Sequence, residues 1–550
     1  MSAIENATKL KGEGNTLFGQ QKYFEAFEKY SSAITFDQEN AILWANRAAC
    51  NFHLKKYLDA SSDAKKATTL DPTYAKAWGR LASASQELGS WQLAVSAWKS
   101  ALGSLPAQNL SSSELKQKDQ YATALANAEN VVREREGRVA QTLNYRDGTG
   151  AGRDKLPWVR AEKMLPELRL MGREGFNSCA WVIVPAAKEL AEGMEMLKDL
   201  KTHTGPGGRQ MLLGRLGAIE RITNAIIREE RVFHISDPNF QDLYRKQVMF
   251  EAQVRNAWTD AGPESVISEA QERLNTKGWD DVRPALSLTV RAWIFRAFLT
   301  SGLDQTHGPA VEFYQNAVDL LERGRKIWSN VPDDQRGAVF SETFVRGVKA
   351  QLVDCYMQAY NSKPGKDADF PLERMATLAN DLIEDAEKNM PDQNASPGWD
   401  RDEINAFYLY PKGTGYAVKG FYHMQMAKYM VDGEEDIHQQ IVNAAESYRD
   451  AAKSYPHDDE KRYWYYNCAL GALWRGHAPL GMTLPVCEVI REGLPKMRRI
   501  WEHSQLALGG ANMAFKATLE FEEDVRKEIA ERRFTEDSCA SPDFACDPKK

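Results

Sequence analysis

The chain has 550 residues, with 70 Lys and Arg against 77 Asp and Glu and a net charge of −7. That length allows about three or four domains or one extended helical array, because single cores stop growing near 250–300 residues. No global positive field is present, so nucleic acid is not an expected partner. The cysteines (Cys50, Cys179, Cys355, Cys468, Cys487, Cys539 and Cys546) are scattered, odd in number and never spaced as CxxC. This points to a reducing compartment and away from zinc. The opening stretch MSAIENATKLK lacks the apolar segment of a signal peptide, and the run SCAWVIVPAA at 178–187 is too short to span a bilayer. The expected location is the cytoplasm or the nucleus, with no membrane partner.

From the start of the chain a 34-residue period runs without insertion through three copies, 7–40, 41–74 and 75–108. Ala7, Ala41 and Ala75 open the copies, and Tyr23, Tyr57 and Trp91 align within them. So do Ala26, Ala60 and Ala94, and then Ala33, Ala67 and Ala101. Trp44 and Trp78 share the fourth position, and Pro72 and Pro106 close copies two and three. Small and large residues at fixed places predict two antiparallel helices per copy, with alanines allowing close approach and aromatics filling the gaps. Gly14 occupies the eighth position, the place of closest approach, which Ala48 and Ala82 fill later. Residues 114–138 predict a polar-faced helix that caps the stack.

This pattern resembles the tetratricopeptide repeat, in three copies over residues 7–108. The resemblance implies an all-α superhelix whose first helices line a concave groove. Positions 2, 5, 6 and 9 of each first helix follow i, i+3, i+4, i+7 and share one face. On that stripe stand Lys11, Asn15, Asn46, Lys76 and Arg80, over a floor of Gly12, Ala45, Ala49, Gly79 and Ser83. Cations and amides around a floor without bulk suit the carboxylates of a peptide end. The set is similar to the carboxylate clamp of tetratricopeptide-repeat co-chaperones, which grips the C-terminal Glu-Glu-Val-Asp of cytosolic heat-shock chaperones of the seventy- and ninety-kilodalton classes. By that resemblance Lys11, Asn15 and Asn46 hold the terminal aspartate's two carboxylates, while Lys76 and Arg80 reach an upstream side chain and carbonyl. Asparagine is common at these repeat positions whatever is bound, so the three cations carry the inference. Phe18 and Phe52, one turn further on, are candidate groove walls, with core packing as the alternative.

The stretch YRDGTGAGRDKLPW centres a linker over 139–158. Its GTGAGR has neither the preceding strand nor the following helix that a phosphate loop needs, and GPGGR at 205–209 reads as a turn. A helical middle region spans 159–283, with RQMLLGRLGAIERITNAIIREERVF amphipathic at the helical period. Residues 284–534 are expected to form degenerate tetratricopeptide-like helix pairs. There Ala310, Tyr314 and Ala317, and again Ala444, Tyr448 and Ala451, repeat the spacing of Ala26, Tyr30 and Ala33. Residues 535–550 read as a disordered tail. No histidine shows metal-ligand spacing, no nucleophile elbow occurs, and HDDE at 457–460 reads as a helix start. No enzymatic activity, cofactor or metal is therefore expected.

The resulting expectation is an all-α protein: a three-repeat superhelix with its cap (1–138), followed by a large helical C-terminal region with degenerate helix pairs. Its function would be that of a co-chaperone or adaptor that binds chaperone C-termini and presents its C-terminal domain to a client or partner. A scaffold for other acidic C-termini, and an enzyme with an unrecognised site in the C-terminal helices, remain as alternatives.

Overall fold

The computed structural model describes all residues except 1, 107, 109, 143–151, 173, 206–209, 236, 238, 392–400, 431–435 and 543–550. The loops GTGAGR and GPGGR and the last residues of the tail thus lie largely outside the described residues. The protein is all-α among the described residues, apart from one two-stranded hairpin and an isolated bridge. In chain order the first helices are α1 (Ala3–Gly19), α2 (Tyr23–Phe36), α3 (Ala41–His53), α4 (Tyr57–Leu70), α5 (Ala75–Glu87), α6 (Trp91–Gly103) and α7 (Ser112–Thr142). Then come α8 (Pro157–Leu170), α9 (Ala180–Lys198), the strands β1 (Lys201–Thr204) and β2 (Gln210–Leu213), α10 (Ala218–Arg228), α11 (Phe240–Arg255), α12 (Pro263–Lys277), α13 (Trp279–Gly302) and α14 (His307–Ile327). After a single turn, α15 (Asp333–Arg336), follow α16 (Glu342–Ser362), α17 (Leu372–Lys388), α18 (Arg401–Ile404), α19 (Tyr410–Tyr429), α20 (Asp436–Lys453), α21 (Glu460–Arg475), α22 (Leu480–Trp501) and α23 (Asn512–Ala530).

The chain divides into two compact units, Met1–Asn144 with Val248–Phe340, and Tyr145–Gln247 with Ser341–Lys550. This differs from the division read in the sequence, where 1–138 stands alone and 159–283 is one region. The middle region is shared between the units, and the boundary falls inside α11.

In the first unit the 34-residue period is visible in the bonds. The indole of Trp44 donates to the Gln38 carbonyl (2.7 Å), and that of Trp78 donates to the Pro72 carbonyl (2.8 Å), so the fourth position of each copy ties back to the closing turn of the previous one. Gln21, Lys55 and Gly89, also 34 residues apart, all take a left-handed backbone between the two helices of their copy (φ 61, 59 and 66°). Gly14 is required where it stands, because a Cβ there would lie 2.7 Å from the Tyr30 ring. The later copies pair Ala48 with Ala64 and Ala82 with Trp98, all buried.

Residues 248–340 pack against these repeats within the same unit. Helix α4 has no N-terminal cap of its own, and its Leu58 N–H instead donates to the Glu312 carboxylate of α14 (2.9 Å). Lys65 pairs with Asp260 (2.9 Å), and Arg296 of α13 donates to Ser90 at the start of α6. Asp59 of α4 is buried against Gly262.

Among the described residues the regular structure of the second unit is helical except for the Pro479–Cys539 bridge and for β1 and β2, which pair antiparallel from Lys201 opposite Leu213 to Thr204 opposite Gln210. The amphipathic stretch read as one helix therefore contains a strand, and its helix begins only after Gly217, whose φ of 97° stops any earlier start. HDDE does begin a helix, and each acid has its own partner. Asp459 caps α21 by accepting from the Lys461 N–H (2.8 Å), while Asp458 accepts from the Cys179 N–H (2.8 Å) at the start of α9. Arg231 lies between Glu229 (2.6 Å), Asp459 (2.8 Å) and Glu460 (3.4 Å), with the Trp501 ring 4.0 Å away. Burial alone would raise the Asp459 carboxyl, but the neighbouring guanidinium holds it below its ordinary value. The tail is a correction as far as 542. The Leu480 and Gly481 N–H groups donate to the Ser538 and Glu536 carbonyls (2.9 and 2.8 Å), and Ala540 packs on Leu480, Leu484 and Val525.

Candidate functional site

Helices α1, α3 and α5 turn one face each toward a groove whose far wall is α7. Its cavity, about 650 Å³, is lined by Phe18, Ala49, Phe52, His53, Lys76, Gly79, Arg80, Ser83 and Trp98, and by Ser113, Lys116, Gln117, Gln120 and Tyr121 from α7. Phe18 and Phe52 line the cavity and also pack, Phe18 edge-on to Tyr23 and His53 (5.3 and 5.5 Å) and Phe52 edge-on to Tyr57 (5.3 Å).

Three of the five polar residues, one from each repeat, are joined by hydrogen bonds. Arg80 Nη1 donates to Asn46 Oδ1 (3.3 Å), Asn46 Nδ2 donates to Asn15 Oδ1 (3.3 Å), and the Tyr30 hydroxyl donates to the same Asn15 oxygen (2.8 Å). Both amide oxygens are thereby occupied from inside, and the N–H groups that remain are donors. Lys11 stands one turn before Asn15 on α1, and Lys76 one turn before Arg80 on α5. Neither lysine has an ion pair, and Arg80 has no carboxylate partner, among the described residues.

The other arginine of the same repeats does have an acid, since Arg47 is clamped by Asp63 at 2.7 and 2.9 Å. Burial would lower the Arg47 guanidinium, yet Asp63 holds it above its ordinary value. Arg80 is pushed the other way, because burial removes water from its charge and no acid compensates. Burial likewise raises Tyr30 to about 12, so its hydroxyl stays a donor to Asn15 at neutral pH. A set of donors without internal counter-charge is what a carboxylate ligand completes.

One of the expected floor residues lies elsewhere, and another, though it lines the cavity, is overlaid from α7. Ala45 is fully buried with Ala67 and Ala77, and Gly79 is covered by Tyr121, whose hydroxyl would be 2.7 Å from a Cβ there. Gly12 has open space above it, and Ala49 and Ser83 line the cavity. The sequence reading missed His53, Trp98 and the whole α7 wall. The last had a signal, since Ser113, Lys116, Gln117 and Gln120 repeat the i, i+3, i+4, i+7 spacing of the stripe. Among the described residues no group of side chains is arranged to hold a metal ion, and no helix is long and apolar enough to cross a membrane.

Three antiparallel helix pairs at a 34-residue period, with their recurring bonds, are tetratricopeptide repeats, and the chain is a tetratricopeptide-repeat protein. No protein-family model matches it. Among curated proteins it is similar to the TPR repeat-containing thioredoxin TTL4 of Arabidopsis thaliana, 37% identical over 54 residues, 10% of this chain. The chain spans only 8% of that relative's length. Among solved structures it is similar to the first TPR of Spaghetti (RPAP3) bound to the HSP90 peptide SRMEEVD, with 32% identity, 22% of this chain and 95% of that one covered, and a TM-score of 0.20. It is also similar to the second TPR domain of human RPAP3 in complex with the HSP70 peptide SGPTIEEVD, with 30% identity, 23% and 98% covered, and a TM-score of 0.21.

Proposed function

We propose that the groove binds the free C-terminus of an acidic peptide, the Glu-Glu-Val-Asp end of the cytosolic heat-shock chaperones, and that the protein is a co-chaperone or adaptor presenting its remaining helices to a client or partner. The observation that carries this reading is that, among the described residues, Lys11 and Lys76 have no ion pair and Arg80 no carboxylate partner around the Asn15–Asn46 hydrogen-bonded pair. In this reading Lys11, Asn15 and Asn46 take the terminal carboxylates. Lys76 and Arg80 take the chain just upstream, and Phe18 and Phe52 flank an apolar side chain.

The test is a titration of the full chain, because α4 depends on Glu312 for its cap. The peptides are SRMEEVD and SGPTIEEVD, each as free acid and as C-terminal amide. A charge-assisted hydrogen bond contributes about 1.5–3 kcal/mol, so the amide is expected to bind roughly 10- to 100-fold more weakly. Lys11→Ala and Lys76→Ala, one half-buried and one exposed, are each expected to lose a comparable factor with a nearly unchanged melting temperature, since surface substitutions stay within about 0.5 kcal/mol. Equal binding of acid and amide would refute the clamp. Equal binding of unrelated acidic tails would leave a scaffold for acidic C-termini in general.

A further inference from the structure

We infer that the α7 wall of the groove is a second subsite, in which Lys116 selects an acidic side chain several residues before the ligand's C-terminus. This deepens the reading above and rests on it. Ser113, Lys116, Gln117 and Gln120 lie on one face of α7 and line the same cavity as Lys76 and Arg80. That lining contains three cations and no carboxylate. Lys116 is exposed and has no ion pair among the described residues, neither with Asp119 one turn on nor with Glu114, which is turned to the helix start and accepts from the Ser111 N–H (2.8 Å).

The wall is held in place rather than loosely apposed. Tyr121 lies over Gly79, its ring is 5.2 Å from that of Trp98, and it takes the side-chain amide of Gln117 as a donor. Gln117 is therefore committed, which leaves Lys116, with Gln120 and Ser113 beside it, to meet a ligand. Helix neighbours pack about 8–10 Å apart, so α7 stands two such steps, roughly 16–20 Å, beyond α3. An extended peptide advances about 3.3 Å per residue. A chain whose terminal carboxylate is held at Asn15 and Asn46 therefore passes Lys116 roughly four to six residues before its end.

The test uses the full chain and nine-residue peptides ending in Glu-Glu-Val-Asp. Glutamate, glutamine or lysine is moved through the fourth, fifth and sixth places before the last residue, and binding is read by fluorescence polarisation at low salt. Solvent-exposed ion pairs are modest, so glutamate is expected to outbind lysine by roughly two- to tenfold at one of these places. Lys116→Ala should abolish the difference between the peptides and Lys116→Glu should reverse it. Indifference of the natural chain to the upstream residue, or a preference that survives Lys116→Glu, overturns the subsite while the clamp stands. Failure of every peptide to bind, or no loss on amidation, overturns the clamp itself and the subsite with it.

Discussion

Replacing Asp59 by asparagine tests the packing of residues 248–340 on the repeats. Asp59 is buried on α4 against Gly262, and its Oδ1 has no hydrogen-bond partner. Burial is the largest influence on it. Asp63 on its own helix and Glu264 on α12 add to the effect, Lys56 and Arg47 oppose it, and Glu312 and Arg323 of α14 also face it; the carboxyl is pushed up to about 7. An acid whose folded pKa lies above its unfolded value binds its proton more tightly when folded, so its stabilisation is complete below the unfolded value of 3.8 and is lost as pH rises to about 7. The gap from 3.8 to about 7, at about 1.36 kcal/mol per unit, makes this loss on the order of 4 kcal/mol. Asparagine has the same shape and no charge to bury. Asp59→Asn is therefore expected to match the natural protein only below about pH 4, gain on it by about 1.4 kcal/mol per pH unit above that, and level off above about pH 7. Hydrogen-exchange mass spectrometry on peptides from α4, comparing the two proteins at each pH, isolates this unit from the other. Equal protection at every pH, or an advantage that shrinks as pH rises, would refute the buried-acid argument. Glu312, pushed up to about 8 by burial, acts in the same direction and is coupled to Asp59, so the two effects do not add.

Lys55→Gly is expected to raise the stability of the repeats by about 0.5–1 kcal/mol, because a left-handed non-glycine residue costs about 1–2 kcal/mol and glycine's extra unfolded freedom returns part of it. Gly89→Ala, at the equivalent place, should change the melting temperature in the opposite direction. Arg231→Met leaves Glu229, Asp459 and Glu460 buried around an apolar side chain and is expected to cost about 3–5 kcal/mol. Hydrogen exchange should show the loss in α9 and α21 while peptides from α1 to α6 keep their protection.

What could be read in the sequence is what recurs. Each residue of the first three copies can be compared with others 34 positions away, so the stripe of Lys11, Asn15, Asn46, Lys76 and Arg80 stands out against the positions that pack. Contacts without such a comparator were silent. Nothing near Leu58 signals that its N–H is satisfied by Glu312, 254 residues later, or that Gly79 is covered by a tyrosine from the capping helix. The strand β2 escaped because four residues are too few to show alternation before the helical run resumes. The second unit shows how a repeat stays legible in structure after fading in sequence. Gly420 of α19 meets the Tyr448 ring of α20, with 2.8 Å to a hypothetical Cβ, just as Gly14 meets Tyr30. The first pair is 28 positions apart and the second 16, so an alignment at constant period cannot match them. Most of the added residues lengthen the helices themselves, since Gly420 lies nine residues before the end of α19 and Tyr448 twelve after the start of α20, against five and seven for Gly14 and Tyr30. The close approach is set by the two helix faces, so it survives an insertion that removes the period.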